Sequence, residues 1–387
     1  MQNKIKIIQV LYSFEVGGIE TLILELSKKL DKDKYEFHIV TLTNDNLRMT
    51  RFLSKEVVVH ALPITANELK TFSGLYKGFL GLCDVFKEVE PNIIHTHLAS
   101  LPLLFISTAI KFSSVNSVHI RTVHTAGMFY ENQDGFKNKV KLLAEKIAMR
   151  LVKTNIISVS NLVLRNNIRN FKNIASEIKL ITNGIDLNKF DKEKYVDVVK
   201  ETFGIDDSSL VVSYVARLSD EKNHIFLIDI WIDIIKEIPN AILVFAGNGE
   251  LEESLKLKVE RLGLKKNIIF LGSINNGPEL LSITDVGVFV SSYEGFGLVL
   301  IENFAMKIPV VASDIESFKD IVIQNENAFL ISLKNKEEYI KIIIELCRDS
   351  ALRNRIAGNA YNEAQKYSID TMIEKYANYY SELLQKK

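Results

Sequence analysis

Short runs of apolar, often β-branched residues alternate with longer amphipathic stretches along all 387 residues of the chain. This alternation is typical of parallel βαβ units, in which a crossover helix follows each buried strand. It predicts seven strands in the first half, at Ile5–Leu11, Phe37–Leu42, Val57–Leu62, Ile93–His97, Val118–Val123, Ile156–Val159 and Ile178–Ile181. The second half predicts six more, at Leu210–Val215, Ile242–Ala246, Ile268–Leu271, Val286–Ser291, Pro309–Ala312 and Phe329–Ile331. A chain of this length exceeds one ordinary core, so we expect two domains.

A turn signal and a charged segment separate the two series of strands. Asn183-Gly184 is a turn dipeptide, and Asp186–Tyr195 is rich in charged residues. We therefore expect domains at residues 1–190 and 191–367, with a last helix at about 368–387 that packs back onto the first domain. Doubly wound sheets bind ligands beyond the carboxyl ends of their strands. The predicted fold class is α/β, with two Rossmann-like domains facing one cleft.

Composition and charge limit the classes of function. No apolar run approaches the ~18 residues of a membrane span, and the chain begins like a strand rather than a signal peptide, so a cytoplasmic location is expected. Cys83 and Cys347 lie far apart without metal-like spacing, which predicts two reduced thiols. Net charge is zero, but residues 1–190 carry about 25 basic and 17 acidic side chains. The acidic second half argues against nucleic-acid binding, while the basic first half could face phosphate or anionic lipid.

The segment Ser291–Asp314 is the most informative stretch of the second half. The loop Gly295–Gly297 opens a helix, where backbone N–H groups and the positive helix end favour a phosphate or a sugar oxygen. Glu294 lies in the loop and Glu302 eight positions further on. Their carboxylates could accept hydrogen bonds from sugar hydroxyls and from a ribose diol. A single glutamate there would usually be a solvated charge, but the whole arrangement indicates a binding site.

Two cations follow the strand Leu210–Val215. A departing diphosphate carries about two to three negative charges, so Arg217 and Lys222 at this sheet edge could lower the barrier to its departure. Lysine supplies a point charge, and arginine a fork suited to phosphate. Taken alone, such side chains are usually solvated.

The first half offers weaker signals at three strand ends. The Gly17-Gly18 pair opens the first helix and could admit a ligand to the backbone, although a simple βα turn explains it equally well. His97 and His124 end strands and could contact a sugar hydroxyl or phosphate; a structural role is the alternative. The spacing of His95 and His97 is compatible with a metal, but no further ligand set accompanies it, so no metal is expected.

A basic amphipathic stretch runs from Lys137 to Lys153. Its apolar residues fall at helical spacing and form one stripe, made of Val140, Leu143, Ala144, Ile147 and Leu151. Six cations surround the stripe, against one acid, Glu145. This composition is typical of a helix that rests on an anionic membrane surface. The alternative is an ordinary crossover helix, whose stripe packs on the sheet and whose lysines are solvated.

Together these features resemble the retaining glycosyltransferases of the two-domain GT-B type, often called family 4. The segments that carry the resemblance span nearly the whole chain in order: Gly17–Glu20, the strand-end histidines, Arg121–Thr125, Asn183–Asp186, Ala216–Asn223, Gly247–Gly249 and the two glutamates. The resemblance implies transfer of a sugar from a nucleoside diphosphate donor, with UDP the commonest, to a glycan or lipid-linked acceptor of surface polysaccharide synthesis. It implies neither cofactor nor metal.

The resemblance also implies a role for each site residue. Glu302 would bind the donor ribose and Glu294 the donor sugar, while Arg217 and Lys222 would neutralise the diphosphate. The remaining roles are backbone contacts from Gly17, Gly18, Phe296, Gly297 and Leu298, a sugar contact from His124, and packing of Leu271 and Gly272 on the base. His97 is an acceptor-side candidate. The chain departs from the family pattern at Asn303, at Lys307, where a glycine is usual, and at Glu316-Ser317.

Double displacement with retention requires a nucleophilic carboxylate, and none is obvious in the first half. The resemblance therefore implies same-face attack, with the leaving phosphate as base. Three alternatives share the fold: a sugar-nucleotide epimerase, a phosphorylase and a catalytically silent partner subunit.

Overall fold

The computed structural model describes residues 4–15, 17–45, 47, 50, 52–125, 135–274 and 276–387. By packing, the chain divides into an N-terminal unit, Met1–Asn183 with Asp370–Lys387, and a C-terminal unit, Gly184–Ile369. The division falls after Asn183, earlier than the predicted boundary at residue 190. The reason is local: Ile185 N donates to Tyr367 O (2.9 Å), and Ile369 N donates to Ile185 O (2.8 Å). This turn therefore belongs with the second unit.

The N-terminal unit contains a seven-stranded parallel sheet in the order β3-β2-β1-β4-β5-β6-β7. Its strands are β1 (Ile5–Leu11), β2 (Tyr35–Thr41), β3 (Val58–Ala61), β4 (Ile93–Thr96), β5 (Val118–Val123), β6 (Thr154–Ser158) and β7 (Glu177–Leu180). Its helices include α1 (Gly18–Lys29), α2 (Phe72–Val89), α3 (Ser100–Ser113), α4 (Phe136–Leu151) and α5 (Asn161–Phe171). A C-terminal helix, Ile369–Gln385, lies almost entirely in this unit.

The C-terminal unit contains a six-stranded parallel sheet in the order β10-β9-β8-β11-β12-β13. Its strands are β8 (Leu210–Val215), β9 (Ala241–Ala246), β10 (Ile268–Gly272), β11 (Val286–Phe289), β12 (Val310–Ser313) and β13 (Phe329–Ile331). Its helices include α6 (His224–Glu237), α7 (Glu252–Arg261), α8 (Gly277–Ser282), α9 (Leu298–Ala305), α10 (Lys336–Arg348) and α11 (Ser350–Ala364); the C-terminal helix is α12. Every predicted strand is present in its sheet, and the α/β prediction is confirmed.

Strand order determines where a ligand can bind in each unit. The order reverses between β1 and β4, and again between β8 and β11, and such switch points are where open parallel sheets bind ligands. The central strands are apolar because helices cover both faces: Ile7, Ile8 and Val10 are fully buried. Gln9 is fully buried among them, and a polar side chain in such a strand needs partners.

None of the helices in the described parts of the chain is both long enough and apolar enough to cross a lipid bilayer.

Candidate functional site

The switch point of the C-terminal unit brings a cation and a carboxylate together. Lys222 ends a short 3₁₀ turn, Asp220–Lys222, that follows β8, and Glu294 follows β11. Their side chains form an ion pair and are 20% and 18% exposed, so they are shielded from water but still accessible. Because β8 and β11 are neighbours in the sheet, two segments distant in sequence meet here. Both residues were predicted at this sheet edge from the sequence.

Two hydroxyl groups that the sequence analysis did not single out hold this ion pair. Ser291 Oγ donates to Glu294 Oε1 (2.7 Å), and Tyr214 OH lies 2.9 Å from Ser291 Oγ. Tyr214 OH also lies 2.9 Å from the carbonyl oxygen of Lys222, and therefore connects both loops. Lys222 and Ser291 use only Oε1 of Glu294; its Oε2 has no hydrogen-bond partner among the described residues and can accept from a ligand hydroxyl.

The loop Gly247–Gly249 supports the segment that carries Arg217. A Cβ atom on Gly247 would lie 2.0 Å from Ala216 O, and one on Gly249 would lie 2.2 Å from Leu218 O, so only glycine fits. Leu218 N donates to Asn248 O (3.0 Å), which fixes the two loops against each other. Arg217 itself is exposed, and no described side chain pairs with it. The structure thus presents an accessible guanidinium on a rigid backbone.

The turn into α9 also requires a glycine. Gly297 caps the helix with φ +98°, a conformation that side chains rarely adopt, and a Cβ there would lie 2.7 Å from the ring of Phe318. The α9 N-terminus therefore begins directly after the loop of Glu294. Phe296 is buried, with its ring 5.7 Å from Tyr367, and Leu298 is the first helical residue.

Glu302 lies on the second turn of α9 and has an unusual environment for a carboxylate. It is partly buried and has no hydrogen-bond partner among the described residues. Burial raises the pKa of Glu302 to about 7, and the charge of Lys189 opposes this shift only in part. A carboxylate without a donor favours a ligand that brings hydroxyl groups, because such hydrogen bonds stabilise its charged form.

Two departures from the family pattern have structural explanations. Asn303 is buried, and its Nδ2 donates to Val299 O (2.8 Å). It fits because Gly287 on β11 has no side chain; a Cβ on that glycine would lie 2.3 Å from Asn303 Oδ1. Lys307 adopts φ +55°, which explains why glycine is the usual residue there. The geometry of the ion pair is untouched by either departure.

Leu271 and Gly272 end β10 beside the same loops. Gly247 N donates to Gly272 O (2.7 Å), and Leu271 is partly buried against the apolar cluster below the sheet. These two residues are therefore rigidly held.

In the N-terminal unit the Gly17-Gly18 pair begins α1, with Gly17 as its cap in an extended conformation. A Cβ on Gly17 would lie 2.4 Å from Oε2 of Glu20, so this carboxylate folds back over the helix start. Burial raises the pKa of Glu20. The glycine pair thus follows β1 and opens α1, as predicted, and β1 lies at the switch point of its sheet.

The strand-end histidines of this unit form one chain of hydrogen bonds. His124 Nε2 lies 2.8 Å from His97 Nδ1, and His97 Nε2 lies 2.7 Å from Gln9 Oε1. The chain continues through Tyr380 OH, to which Gln9 Nε2 donates (3.2 Å), and on to His95 Nδ1 (2.8 Å). Tyr380 belongs to α12, so the last helix is bonded to the strand ends.

The side-chain amide of Gln9 determines which atom donates in each of these hydrogen bonds. Its Oε1 is an acceptor, so His97 must carry its proton on Nε2 and accept at Nδ1; His124 must then donate from Nε2. This requires neutral rings, and burial lowers the pKa of His124 to about 3 and that of His97 well below its usual value. Both ring nitrogens of His97 are thus occupied. His97 is hydrogen-bonded to His124, and its contact with an acceptor stays a prediction.

Among the residues that the structure describes, no three His, Cys, Asp or Glu side chains gather closely enough to hold a metal ion.

Comparison with known proteins identifies the family. The family model described as Glycosyltransferase Family 4 matches residues 16–189, and the one described as Glycosyl transferases group 1 matches residues 196–363. The Escherichia coli UDP-Gal:alpha-D-GlcNAc-diphosphoundecaprenol alpha-1,3-galactosyltransferase is 25% identical over 392 residues, which cover 100% of this chain and 99% of that protein. The Staphylococcus aureus capsular polysaccharide biosynthesis glycosyltransferase CapM is 27% identical over 370 residues, 92% of each chain.

A solved structure has the same fold. The crystal structure of Anabaena Alr3699/HepE in complex with UDP and glucose matches with a TM-score of 0.81 at 21% identity, over 97% of this chain and 99% of that chain. The two family models account for most of the sequence, one for each half of the chain. The chain therefore belongs to the glycosyltransferases, with the two-domain GT-B fold.

Proposed function

We propose that this glycosyltransferase moves a sugar from a nucleoside diphosphate donor, a UDP-sugar, to a glycan or lipid-linked acceptor with retention of configuration. The observation that carries the proposal is the Lys222–Glu294 pair at the β8–β11 switch point, with Arg217 exposed beside β8. A diphosphate is bound by cations and by a helix N-terminus. The sugar attached to it needs hydrogen-bond acceptors for its hydroxyl groups, and the available oxygen of Glu294 can be one of them.

Each residue of the C-terminal unit has one task in this proposal. Lys222 and Arg217 bind the diphosphate and stabilise the charge that develops as it leaves. Glu294 Oε2 accepts from a sugar hydroxyl, and the carboxylate of Glu302 accepts from the ribose diol. Backbone N–H groups at Phe296, Gly297 and Leu298 face the anion, and Leu271-Gly272 supports the base.

For the N-terminal unit we propose a side-chain contact with the sugar of the donor and a backbone contact with its diphosphate. His124 donates to His97 and keeps a lone pair on Nδ1, so it can accept from a sugar hydroxyl. The backbone at Gly17-Gly18 assists the diphosphate, as the start of a helix can.

The reaction step follows from the groups available. The acceptor oxygen attacks the anomeric carbon, the bond from that carbon to the diphosphate oxygen breaks, and the acceptor proton passes to the departing phosphate. Protein cations replace a metal, and no cofactor takes part. The relative from E. coli is named for UDP-Gal and an α-1,3 product, which is the outcome of retention from an α-linked donor.

The acceptor class rests on the relatives. One is named for a diphosphoundecaprenol acceptor and another for capsular polysaccharide biosynthesis. We infer a role in surface polysaccharide assembly, on the cytoplasmic side of a membrane.

A thermal-shift panel of nucleoside diphosphates and their sugars tests the donor. We expect UDP and a UDP-sugar to raise the melting temperature more than ADP or GDP do. Slow release of UDP from the matching sugar donor, without acceptor, would then separate an active transferase from a silent subunit. If no nucleotide shifts the melting temperature and no donor is hydrolysed, the proposal is wrong.

A further inference from the structure

The helix α4 is held in one orientation by a buried ion pair. Glu145 is fully buried, and its carboxylate accepts from Arg121 (2.9 Å), which is also buried, and from Ser100 N (2.9 Å) at the start of α3. Leu142 and Met149 are buried on the same side of α4. A buried charge pair that also caps a helix is costly to break, so α4 cannot rotate about its axis.

The opposite face of α4 is apolar and exposed. Phe136 is 81% exposed, Leu143 55% and Ile147 40%; Val140 and Leu151 are also exposed. These five residues recur at intervals of three and four and form a continuous ridge. Of the stripe expected from the sequence, only Ala144 packs inward. The structure thus contradicts the alternative in which the stripe packs on the sheet.

The charged side chains that flank the ridge along the described helix are cations. Lys137, Lys139 and Lys141 lie on its first half, and Lys146, Arg150 and Lys153 on its second. The one acid of the segment, Glu145, faces the core and does not weaken this field.

We propose that the α4 ridge inserts into the surface of an anionic lipid bilayer, with its six cations at the level of the headgroups. This composition suits a helix lying in the interface: an apolar edge enters the acyl boundary, and flanking lysines reach the phosphates. A second copy of the chain is a poorer occupant, because two such ridges would bring twelve like charges together. The proposal deepens the lipid-linked acceptor of the proposed function, but its test does not depend on that function.

Sedimentation with vesicles tests the proposal directly. Vesicles of phosphatidylglycerol and phosphatidylcholine are compared with phosphatidylcholine alone, at about 0.1 M and 0.5 M NaCl. Since each cation near such a surface contributes about 1 kcal/mol, changing Lys137, Lys139, Lys146 and Lys153 to Gln should lower the partition coefficient by about 100-fold or more. High salt should have a similar effect on the wild type.

A matched pair of variants separates the ridge from general hydrophobicity. Leu143→Gln with Ile147→Gln removes the centre of the ridge and should lower binding at least tenfold. Leu75→Gln with Leu80→Gln changes two residues of α2 that are 41% and 43% exposed, on a helix of mixed charge, and should leave binding unchanged. The thermal shift with UDP reports on folding and on the donor site in every variant.

Three outcomes overturn the proposal: no binding of the wild type to anionic vesicles, equal binding to phosphatidylcholine alone, or equal losses in the α2 and α4 variants. Concentration-dependent dimerisation that only the α4 variants abolish would assign the ridge to a second copy instead. If vesicle binding behaves as expected while no nucleotide binds, the membrane surface stands and the proposed transfer does not.

Discussion

The two units share the order of six strands but differ in the chemistry at their switch points. In the C-terminal unit, Lys222 and Glu294 are charged and paired, and Arg217 stands exposed beside them. In the N-terminal unit, His124, His97 and Gln9 form a neutral, directional chain. The same backbone topology therefore carries an ion pair in one unit and a chain of neutral side chains in the other.

Under the proposed function, this difference assigns a different part of the donor to each unit. Removing a charged group from water costs free energy unless an opposite charge compensates it. A diphosphate is therefore expected to bind at Lys222 and Arg217. Neutral imidazoles whose protons are fixed by hydrogen bonds suit sugar hydroxyls, which both donate and accept. A nucleotide sugar contains both kinds of group.

The largest effect is expected from removing the charged side of this comparison. Lys222→Ala and Arg217→Ala should each lower turnover by ~10²-fold or more, because both cations act where charge develops on the leaving group. Steady-state release of UDP from the donor measures this loss. Lys236→Ala, which removes a surface lysine from α6, is the control and should leave turnover unchanged.

The same comparison predicts that chelation has no effect. If cationic side chains replace a metal, EDTA should leave transfer unchanged. Loss of transfer with EDTA, restored by Mg²⁺ or Mn²⁺, would show that the protein cations do not suffice.

Glu302 allows a test of the donor contact through pH. With a pKa of about 7 in the free protein, its carboxylate is mostly protonated at pH 6 and mostly ionised at pH 8. If only the ionised form binds the ribose, donor affinity should rise about tenfold over this range. A UDP-sugar is the proper probe, because its diphosphate does not titrate near pH 7. Glu302→Ala should weaken binding by ~1.5–3 kcal/mol and remove the pH dependence; an equal pH profile in both proteins would refute the contact.

The free energy of unfolding should fall as pH increases, whereas donor affinity should rise. A carboxyl whose pKa is raised by folding stabilises the folded state below its unfolded pKa, near 4.5, and this contribution is lost as pH rises to about 7. Glu302→Gln, which cannot ionise, should therefore gain stability over the wild type between pH 4.5 and 7, by about 1–3 kcal/mol. Urea unfolding at several pH values measures the difference. A constant difference across this range would contradict the raised pKa.

The fold could be predicted from the sequence because its signal is local. Parallel strands covered on both faces appear as short apolar runs, and every predicted strand is present. The division by packing falls after Asn183 rather than at the predicted residue 190, and the pairing of Ile185 with Tyr367 that accompanies it joins residues far apart in sequence. No property of the Asn183–Asp186 turn alone indicates that contact.

The site was predicted less completely, for a related reason. Charged residues after strands are visible in the sequence, and Lys222 and Glu294 do meet. The roles of Tyr214 in β8 and Tyr380 in α12 could not be predicted, because tyrosines are common in strands and helices. Gln9 was a signal that could have been used, because a polar side chain in an apolar strand requires a buried partner.

The neutral side of the comparison can be tested at Tyr380. Tyr380→Phe removes the hydroxyl that joins Gln9 to His95, so the Gln9 amide and the protons on His97 and His124 are no longer fixed. We expect turnover to fall about three- to tenfold and the free energy of unfolding by about 1–2 kcal/mol. Imidazole ¹⁵N NMR should show His124 changing from a single tautomer to a mixture.

Tyr379 provides the matched control for this experiment. It lies next to Tyr380 on α12 and is fully buried, but its hydroxyl has no hydrogen-bond partner among the described residues. Tyr379→Phe should leave turnover and the His124 signals unchanged. If both variants alter activity equally, the chain of hydrogen bonds does not position His124.

The smallest expected effect concerns the backbone and tests whether the units unfold separately. Glu90, which ends α2, and Lys307, just after α9, adopt φ values of +49° and +55°. A non-glycine residue there costs about 1–2 kcal/mol, and the flexibility of glycine offsets about half of the gain from replacing it. Glu90→Gly should therefore stabilise the N-terminal unit by about 0.5–1 kcal/mol.

Lys307→Gly should stabilise the C-terminal unit by less, because this variant also loses the contacts of Lys307 with Glu193 (3.4 Å) and the ring of Tyr361 (5.2 Å). In calorimetry, each glycine should raise a different transition if the units are independent, whereas a single transition that both variants raise would show that the two units unfold together.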